Sequence, residues 1–398
     1  MYQNQLTFLN RVKRNKLLVF GNPIIEEAEI NEVVASLRSG WLSTGPKVAR
    51  FEKLFRAYIG LKHALALNSC TAGIHLSLLV SGVGLGDEVI TTPLTFAASA
   101  NAIIHTGAKP VFVDIELPSM NMNPDLIEDK ITEKTKAIIP VHFAGRPCNM
   151  DKIMEIAKKY NLTVIEDASH AIEARYHGMK IGAIGDLTCF SFYVTKNIVT
   201  GEGGMVTTDN DKFAEKIQIY SLHGMNKGAW KRYSDEGFKH YEIIFPGYKY
   251  NMMDIQAAIG LHQLPRIERY LSRREYIWQR YDQAFKELPV IIPAPPEPYT
   301  KHARHLYTIL LDIDKLKLNR DSFQQLLYDE NIGTGIHFIS IHLHRYYRER
   351  FGYKKGDFPN AEYVSDRTIS LPLSAKLSDA DVEDVISAVY KIFYVRRR

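Results

Sequence analysis

The chain has 398 residues, 45% hydrophobic and 24% charged, an ordinary globular balance that excludes collagen-like, disordered and disulfide-scaffold classes. Lysine and arginine number 50 against 45 acidic residues, a surplus of five, with no long basic run before the terminal Arg396-Arg397-Arg398; neither nucleic acid nor a membrane is an expected partner. Cys70, Cys148 and Cys189 lie far apart without CxxC spacing, which suits a reducing, cytoplasmic setting and suggests neither disulfides nor a zinc site.

At about 150 residues per domain, the length predicts two domains. Arg11, Lys13, Arg14 and Lys16 precede an apolar run, Leu17 to Phe20, that is far too short for a signal-peptide core. No stretch reaches the roughly 20 apolar residues of a membrane span. From His63 the chain alternates β-rich runs with helical patterns. Strands are predicted at His63–Asn68, Glu88–Thr92, Pro110–Ile115, Ala137–Phe143, Leu162–Asp167, Leu187–Tyr193 and Gly204–Thr208. Most are continuously apolar, as strands covered on both faces are. Helical patterns such as Asn149–Tyr160, with Ile153, Ile156 and Ala157 on one face, fall between them. The alternation predicts a mostly parallel α/β sheet, with ligands beyond the carboxyl ends of its strands.

Asp254 to Leu288 reads as one long helical segment that Pro265 should end or kink, because proline lacks the N–H. The proline-rich stretch Pro289–Pro298 reads as a linker. Strand-like Leu306–Ile313, helix-like Asp321–Asn331, strand-like Gly335–Phe338 and helix-like Ser378–Phe393 then suggest a smaller α+β unit. The expected domains are 1–265, with the N-terminal segment, and 266–398.

Four strand-end loops carry chemistry. Asn68-Ser69-Cys70-Thr71-Ala72-Gly73 places small and hydroxyl residues at a helix start, a general phosphate site, though a plain Ser/Thr cap reads as well. In Thr91-Thr92-Pro93-Leu94-Thr95-Phe96 the aromatic could stack on a flat heterocycle or simply fill the core. Val164-Ile165-Glu166-Asp167-Ala168-Ser169-His170 ends an apolar strand in carboxylates. By strand alternation only one of Glu166 and Asp167 faces the site, where it could hold a pyridinium N–H; a helix cap is the rival. Ser191-Phe192-Tyr193-Val194-Thr195-Lys196-Asn197, followed by Thr200-Gly201-Glu202-Gly203-Gly204, sets a lysine where burial could make its amine nucleophilic enough for a Schiff base. A surface lysine is the commoner reading of such a residue alone. Together the four loops supply the parts of a pyridoxal-phosphate (PLP) site.

These residues resemble the DegT/DnrJ/StrS-type sugar aminotransferases, PLP enzymes of fold type I. The resemblance runs from Ser39-Gly40-Trp41-Leu42-Ser43-Thr44-Gly45-Pro46-Lys47 to Ser370-Leu371-Pro372-Leu373. In Gly247–Ile255 and Ile332–Phe338 it looks most similar to the ArnB type, which acts on a UDP-linked 4-keto pentose. It implies a large domain with a mostly parallel seven-stranded sheet and a smaller C-terminal domain. It implies Lys196 as the Schiff-base lysine, Asp167 as the pyridine-nitrogen partner and Phe96 as the stacking ring. It also places His170 near the cofactor's phenolic oxygen, and Cys70, Thr71 and Ser191 at the phosphate. Asn251 resembles a phosphate contact given from a neighbouring subunit, which implies a homodimer with shared sites. Tyr193-Val194 stands where His-Pro is often found, and Cys70 where Gly or Ala is usual; neither removes a chemical function. Lys196, where the family's dehydratases carry His, favours transamination.

The resemblance therefore implies transfer of an amino group from glutamate to a keto sugar, nucleotide-linked or not, for cell-surface polysaccharide or lipopolysaccharide. A non-catalytic PLP-binding relative is the alternative. A nicotinamide enzyme is set aside, since Gly82-Val83-Gly84-Leu85-Gly86 precedes a strand and lacks GxGxxG order. The segment 337–347 gathers histidines, aromatics and an arginine, without carboxylates or tight ligand spacing for a metal. His337, His342 and Trp41 are candidate substrate contacts, as are Lys47 and Arg232, with a plain surface role ahead for Arg232.

Overall fold

A computed structural model describes residues 8–226, 241–316 and 318–394; Arg232 and Arg396–Arg398 lie outside them. Seven strands form the main sheet: β1 (His63–Leu67), β2 (Glu88–Thr91), β3 (Lys109–Phe112), β4 (Thr135–Ile138), β5 (Thr163–Asp167), β8 (Leu187–Ser191) and β9 (Gly204–Thr208). Between β5 and β8 comes the hairpin β6 (Arg175–Tyr176) and β7 (Met179–Lys180). The order is β1-β9-β8-β5-β4-β2-β3. β9 alone runs antiparallel to its neighbours, and the other pairings from β8 to β3 are parallel. The carboxyl ends of β1, β2, β4, β5 and β8 therefore share one edge, and the start of β9 joins them. Val89, Ile90, Ala137, Ile138, Val164, Ile165, Leu187 and Cys189 are fully buried, so the apolar runs do mark strands covered on both faces.

Gly204–Thr208 has the expected bounds and β5 ends at Asp167 as expected, but the other five strands stop short of the runs that predict them. Ala137–Phe143 yields pairing only to Ile138, with one further bridge from Val141 to Asp167, because Pro140 has no N–H for the ladder. The helix Cys70–Val80 begins where Ser69 Oγ accepts the Ala72 N–H at 3.1 Å. The helix Met150–Tyr160 begins at Asn149, whose side chain accepts from Lys152, and ends at Asn161 in the left-handed region, φ 53°. Pro265 interrupts its segment as expected: Asp254–Gln263 passes through a 3-10 turn, Leu264–Arg266, into Ile267–Phe285.

The second unit has a three-stranded antiparallel sheet of β10 (Val290–Ile291), β12 (Tyr307–Leu311) and β13 (Thr368–Leu371), ordered β10-β12-β13. Trp278, Tyr281, Phe285, Tyr307, Phe323 and residues of the helix Asp379–Tyr394 form its core. Ile267 of the helix Ile267–Phe285 sits in the large-sheet core, whereas Ile277 onward belongs to the second. The N-terminal segment, grouped with the large domain on sequence, packs on the C-terminal core through Phe8, Leu9 and Leu18. Leu18 exchanges backbone hydrogen bonds with Asn331 and Gly333, both 2.9 Å, and Arg14 pairs with Asp381 and Asp384, both 2.6 Å. The Pro289–Pro298 stretch is anchored at both ends, by β10 and by β11 (Thr300–Lys301), which pairs with β6. Gly335–Phe338 is not a strand: only Gly335 bridges to Ser370, and the side chains that follow turn into the cavity described next.

Candidate active site

Lys196 sits in the loop between β8 and β9. That loop is closed by Phe192 N–H to Gly203 O at 2.9 Å and Thr200 N–H to Phe192 O at 2.8 Å, and Lys196 N–H donates to Tyr193 O at 2.8 Å. The side chain enters a cavity of about 600 Å³ at the carboxyl edge of the sheet. Among the described residues its amine makes no hydrogen bond or ion pair. Burial pushes it down to about 8 from 10.5, against the pull of Asp167.

Asp167 is 4% exposed on the same wall. Ser99 Oγ donates to its Oδ2 at 2.7 Å and Ser169 N–H to its Oδ1 at 3.1 Å. Because the single Ser99 proton is committed there, Thr95 Oγ1, 2.9 Å away, is the donor to Ser99. Glu166 faces the other way, as alternation predicts. His142 Nδ1 accepts the Cys148 N–H at 3.0 Å, so its Nε2 donates to Glu166 Oε2 at 2.8 Å. Gly185 N–H and Thr188 Oγ1, both 2.8 Å, fill Oε1. Burial alone would raise this carboxyl, but these donors hold it below the usual carboxylate range. Glu166 is thus structural, and Asp167 is the carboxylate with lone pairs left for a ligand.

Cys70 and Thr71 open the helix at the end of β1 and line the cavity with Ser191. Burial holds the Cys70 thiol well above its usual value, so the turn contributes helix-terminal N–H groups rather than a thiolate. Gly204 brings β9 against this turn: a Cβ there would lie 2.4 Å from Ser69 C and 2.5 Å from Cys70 N. The turn is shaped to receive a phosphate, the half-buried lysine and the buried carboxylate suit the two ends of a pyridine aldehyde, and the residues present fit PLP.

His170, His305 and His337 line the same cavity with Phe96 and Phe338. His170 stacks on Phe338 at 16° and 6.2 Å between centroids, and its centroid is 4.5 Å from that of His305. Burial holds His170 and His305 well below their usual value and His337 down to about 3, with the Lys196 charge acting in the same direction. All three are neutral imidazoles. Phe96 is 65% exposed and stands over the opening, 6.2 Å from Phe338.

Four candidates lie elsewhere. His342 does not reach the cavity: the 3-10 turn Ile341–Leu343 buries it fully, bonded to Glu362 Oε1 at 2.9 Å and packed on Phe358. Trp41 and Asn251 line a second cavity of about 570 Å³. There Asn251 Nδ2 donates to Thr44 Oγ1 at 2.7 Å and Trp41 Nε1 to Thr44 O at 3.2 Å. Lys47 pairs with Glu32 at 2.7 Å. Sequence reasoning missed Ser99, Tyr193, Glu202, His305 and Phe338. Tyr193 and Glu202 share the loop of Lys196, whereas Ser99 reads as an ordinary helix residue until the fold sets it against Asp167.

The profile of the DegT/DnrJ/EryC1/StrS aminotransferase family matches residues 23–390. The chain is 52% identical to the spore coat polysaccharide biosynthesis protein SpsC of Bacillus subtilis over 381 residues, 96% of this chain and 98% of that one. It is similar to the PLP form of Spr1654 from Streptococcus pneumoniae, at TM-score 0.87 and 36% identity, covering 96% and 100% of the two chains; a PMP form is also known. It is similar, too, to Helicobacter pylori PseC, an aminotransferase involved in the biosynthesis of pseudoaminic acid, at TM-score 0.88 and 30% identity over 95% and 99%. A family match across nearly the whole chain, joined to a half-buried lysine and a buried carboxylate beside the strand ends, leads to one conclusion: the chain belongs to the DegT/DnrJ/EryC1/StrS family of PLP-dependent sugar aminotransferases.

Proposed function

We propose that the chain transfers an amino group from glutamate to a nucleotide-linked 4-keto sugar, in the making of a cell-surface polysaccharide or lipopolysaccharide. The observation that carries this reading is the convergence of Lys196 and the Ser99-held Asp167 on one cavity whose far wall is polar and aromatic. The roles of SpsC in spore coat polysaccharide biosynthesis and of PseC in pseudoaminic acid biosynthesis support the sugar.

PLP, when bound, supplies an electron sink for the carbanion that both half-reactions require. Asp167, with its remaining lone pairs, would hold the ring nitrogen in its protonated form. The N–H groups of Cys70 and Thr71, with the Ser191 hydroxyl, hold the phosphate. His170 Nδ1 accepts the Ala144 N–H at 3.2 Å, so its Nε2 carries the proton and would donate to the phenolic oxygen. Lys196 Nζ would be the base that takes the proton from the substrate carbon. In the cofactor-free protein burial lowers this amine to about 8, which favours the uncharged form a base requires. Phe96 and Phe338 restrict water at the opening.

We place the enzyme in the cytoplasm, where both substrates would be met. Cys70, Cys148 and Cys189 are free and buried, and among the described residues no helix is long and apolar enough to cross a membrane. Units divided near residue 265 would let the smaller one cover the substrate, since it contributes His337 and Phe338. The working form is read as a homodimer in which Asn251 serves the partner's site; its position outside the Lys196 cavity supports this.

The test uses PLP-loaded protein. Glutamate should convert the bound cofactor to its amine form, and one of a UDP-, GDP- and dTDP-linked 4-keto sugar panel should convert it back. Reconversion by free keto sugars alone would refute the nucleotide linkage, and Lys196→Ala that kept activity would refute the lysine's role. Mixed Lys196→Ala and Asn251→Ala subunits should recover roughly a quarter of wild-type activity if sites are shared, and none if they are not.

A further inference from the structure

A buried chain of polar groups runs from the helix Ile267–Phe285 to the cavity wall. Arg274, 3% exposed, pairs with Glu173, fully buried, and its Nε is anchored on Arg304 O at 3.0 Å. Asn197, the residue after Lys196, donates its amide N–H₂ to Glu173 Oε2 at 2.6 Å and to Ala303 O at 3.2 Å. Both partners are acceptors only, so the amide oxygen must face the other way, toward His305 Nδ1 at 2.8 Å. His305 therefore carries its proton on Nδ1. Its Nε2 is a bare lone pair with no partner among the described residues, on a ring that lines the cavity.

His170 is held in the opposite tautomer by Ala144, and the two centroids are 4.5 Å apart. The wall thus offers one donor and, beside it, one acceptor. The His170 donor suits an anionic oxygen. The His305 acceptor needs an O–H or N–H. Glutamate offers its only donors at the amine that meets the reacting centre, and its carboxylates would be repelled by a lone pair. A keto sugar carries hydroxyls around its ring.

We propose that His305 is a specificity-determining residue, its Nε2 accepting a hydrogen bond from a hydroxyl of the keto sugar, and that Asn197, Glu173 and Arg274 are positioning residues that hold it in the required tautomer. This rests on the aminotransferase reading above. A site built around a hydroxyl discriminates strongly when that bond is lost.

The two half-reactions are measured separately on PLP-loaded protein, with glutamate and then with whichever UDP-, GDP- or dTDP-linked 4-keto sugar the wild type uses fastest. In His305→Leu the second-order constant for the sugar should fall about tenfold or more beyond any fall for glutamate. His305→Gln, which can both donate to Asn197 and accept from a hydroxyl, should recover part of that difference. In cofactor-free protein, ¹⁵N spectra of labelled histidines should show His305 as the neutral Nδ1–H tautomer, and Glu173→Gln, which frees Asn197 to turn over, should mix the two tautomers. Equal losses in both half-reactions, loss in neither, or an Nε2–H tautomer in the wild type would overturn the proposal. A wild type that glutamate does not convert would overturn the aminotransferase reading itself, and this proposal with it.

Discussion

Replacing Lys196 by Met should make the cofactor-free protein more stable at neutral pH. Methionine keeps an unbranched stem of similar length and removes a charge that burial disfavours. The amine stands at about 8 in the fold and 10.5 as a free side chain, a gap of about 2.5 units and hence about 3.4 kcal/mol at 1.36 kcal/mol per unit. Lys196 keeps part of its surface open to cavity water, which screens the charge, so about 2 kcal/mol is the expected gain. Below pH 8 both folded and unfolded chains hold the proton and the fold carries the full cost. Between 8 and 10.5 the folded chain sheds its proton first, the unfolded chain binds more protons, and wild-type stability rises with pH. Above 10.5 neither form is charged and the cost is gone. Urea unfolding of both proteins at pH 7.0 and pH 10.0 reads the difference directly, since every other ionisable group is common to both. A wild type at least as stable as Lys196→Met at pH 7.0, or a gap that does not narrow by pH 10.0, would refute the reasoning.

Asp167→Asn keeps a side chain that Ser99 can still bond but removes the charge facing the ring nitrogen; kcat should fall at least about 100-fold, and a steady-state value within fivefold of wild type would count against the assignment. Gly204→Ala places a Cβ 2.4 Å from Ser69 C and should raise the PLP dissociation constant at least about tenfold, since the turn must shift by close to a bond length; absorbance titration measures it, and unchanged affinity would show that the turn yields freely. Glu166→Leu strands the His142 Nε2–H, the Gly185 N–H and the Thr188 hydroxyl in a fully buried site. It should cost about 3–5 kcal/mol in urea unfolding, and a loss under 1 kcal/mol would contradict the structural role given to this carboxylate.

Much of the site was legible because its residues cluster at strand ends. Asp167 and Ser191 end their strands, Cys70, Thr71, Phe96 and Lys196 follow one by a few residues, and all line one cavity. His170 and His337 join them there. The errors fall where local pattern and tertiary contact diverge. His342 looks the same in sequence as His337, five residues earlier, yet one is bonded to Glu362 in the core and the other to Ser370 at the cavity. Gly335–Phe338 has the composition of a strand, but its backbone pairs with β13 only at the Gly335–Ser370 bridge. Ser99 acquires its role from a carboxylate 68 residues away, and His305 from Asn197 across 108 residues.

Periodicity and composition by themselves determined the α/β class, the seven strands of the main sheet and the loops that carry the chemistry. These depend on short-range facts: which side chains are apolar, where proline removes a donor, and where alternation sends Glu166 and Asp167 to opposite faces. Only the tertiary structure decided which polar groups are satisfied by the protein and which remain for a ligand. Glu166 has its lone pairs filled, Asp167 keeps some, and His305 keeps a bare nitrogen, because hydrogen-bond partners are assigned by distances that close only when β2, β5, β8 and the second unit are packed together.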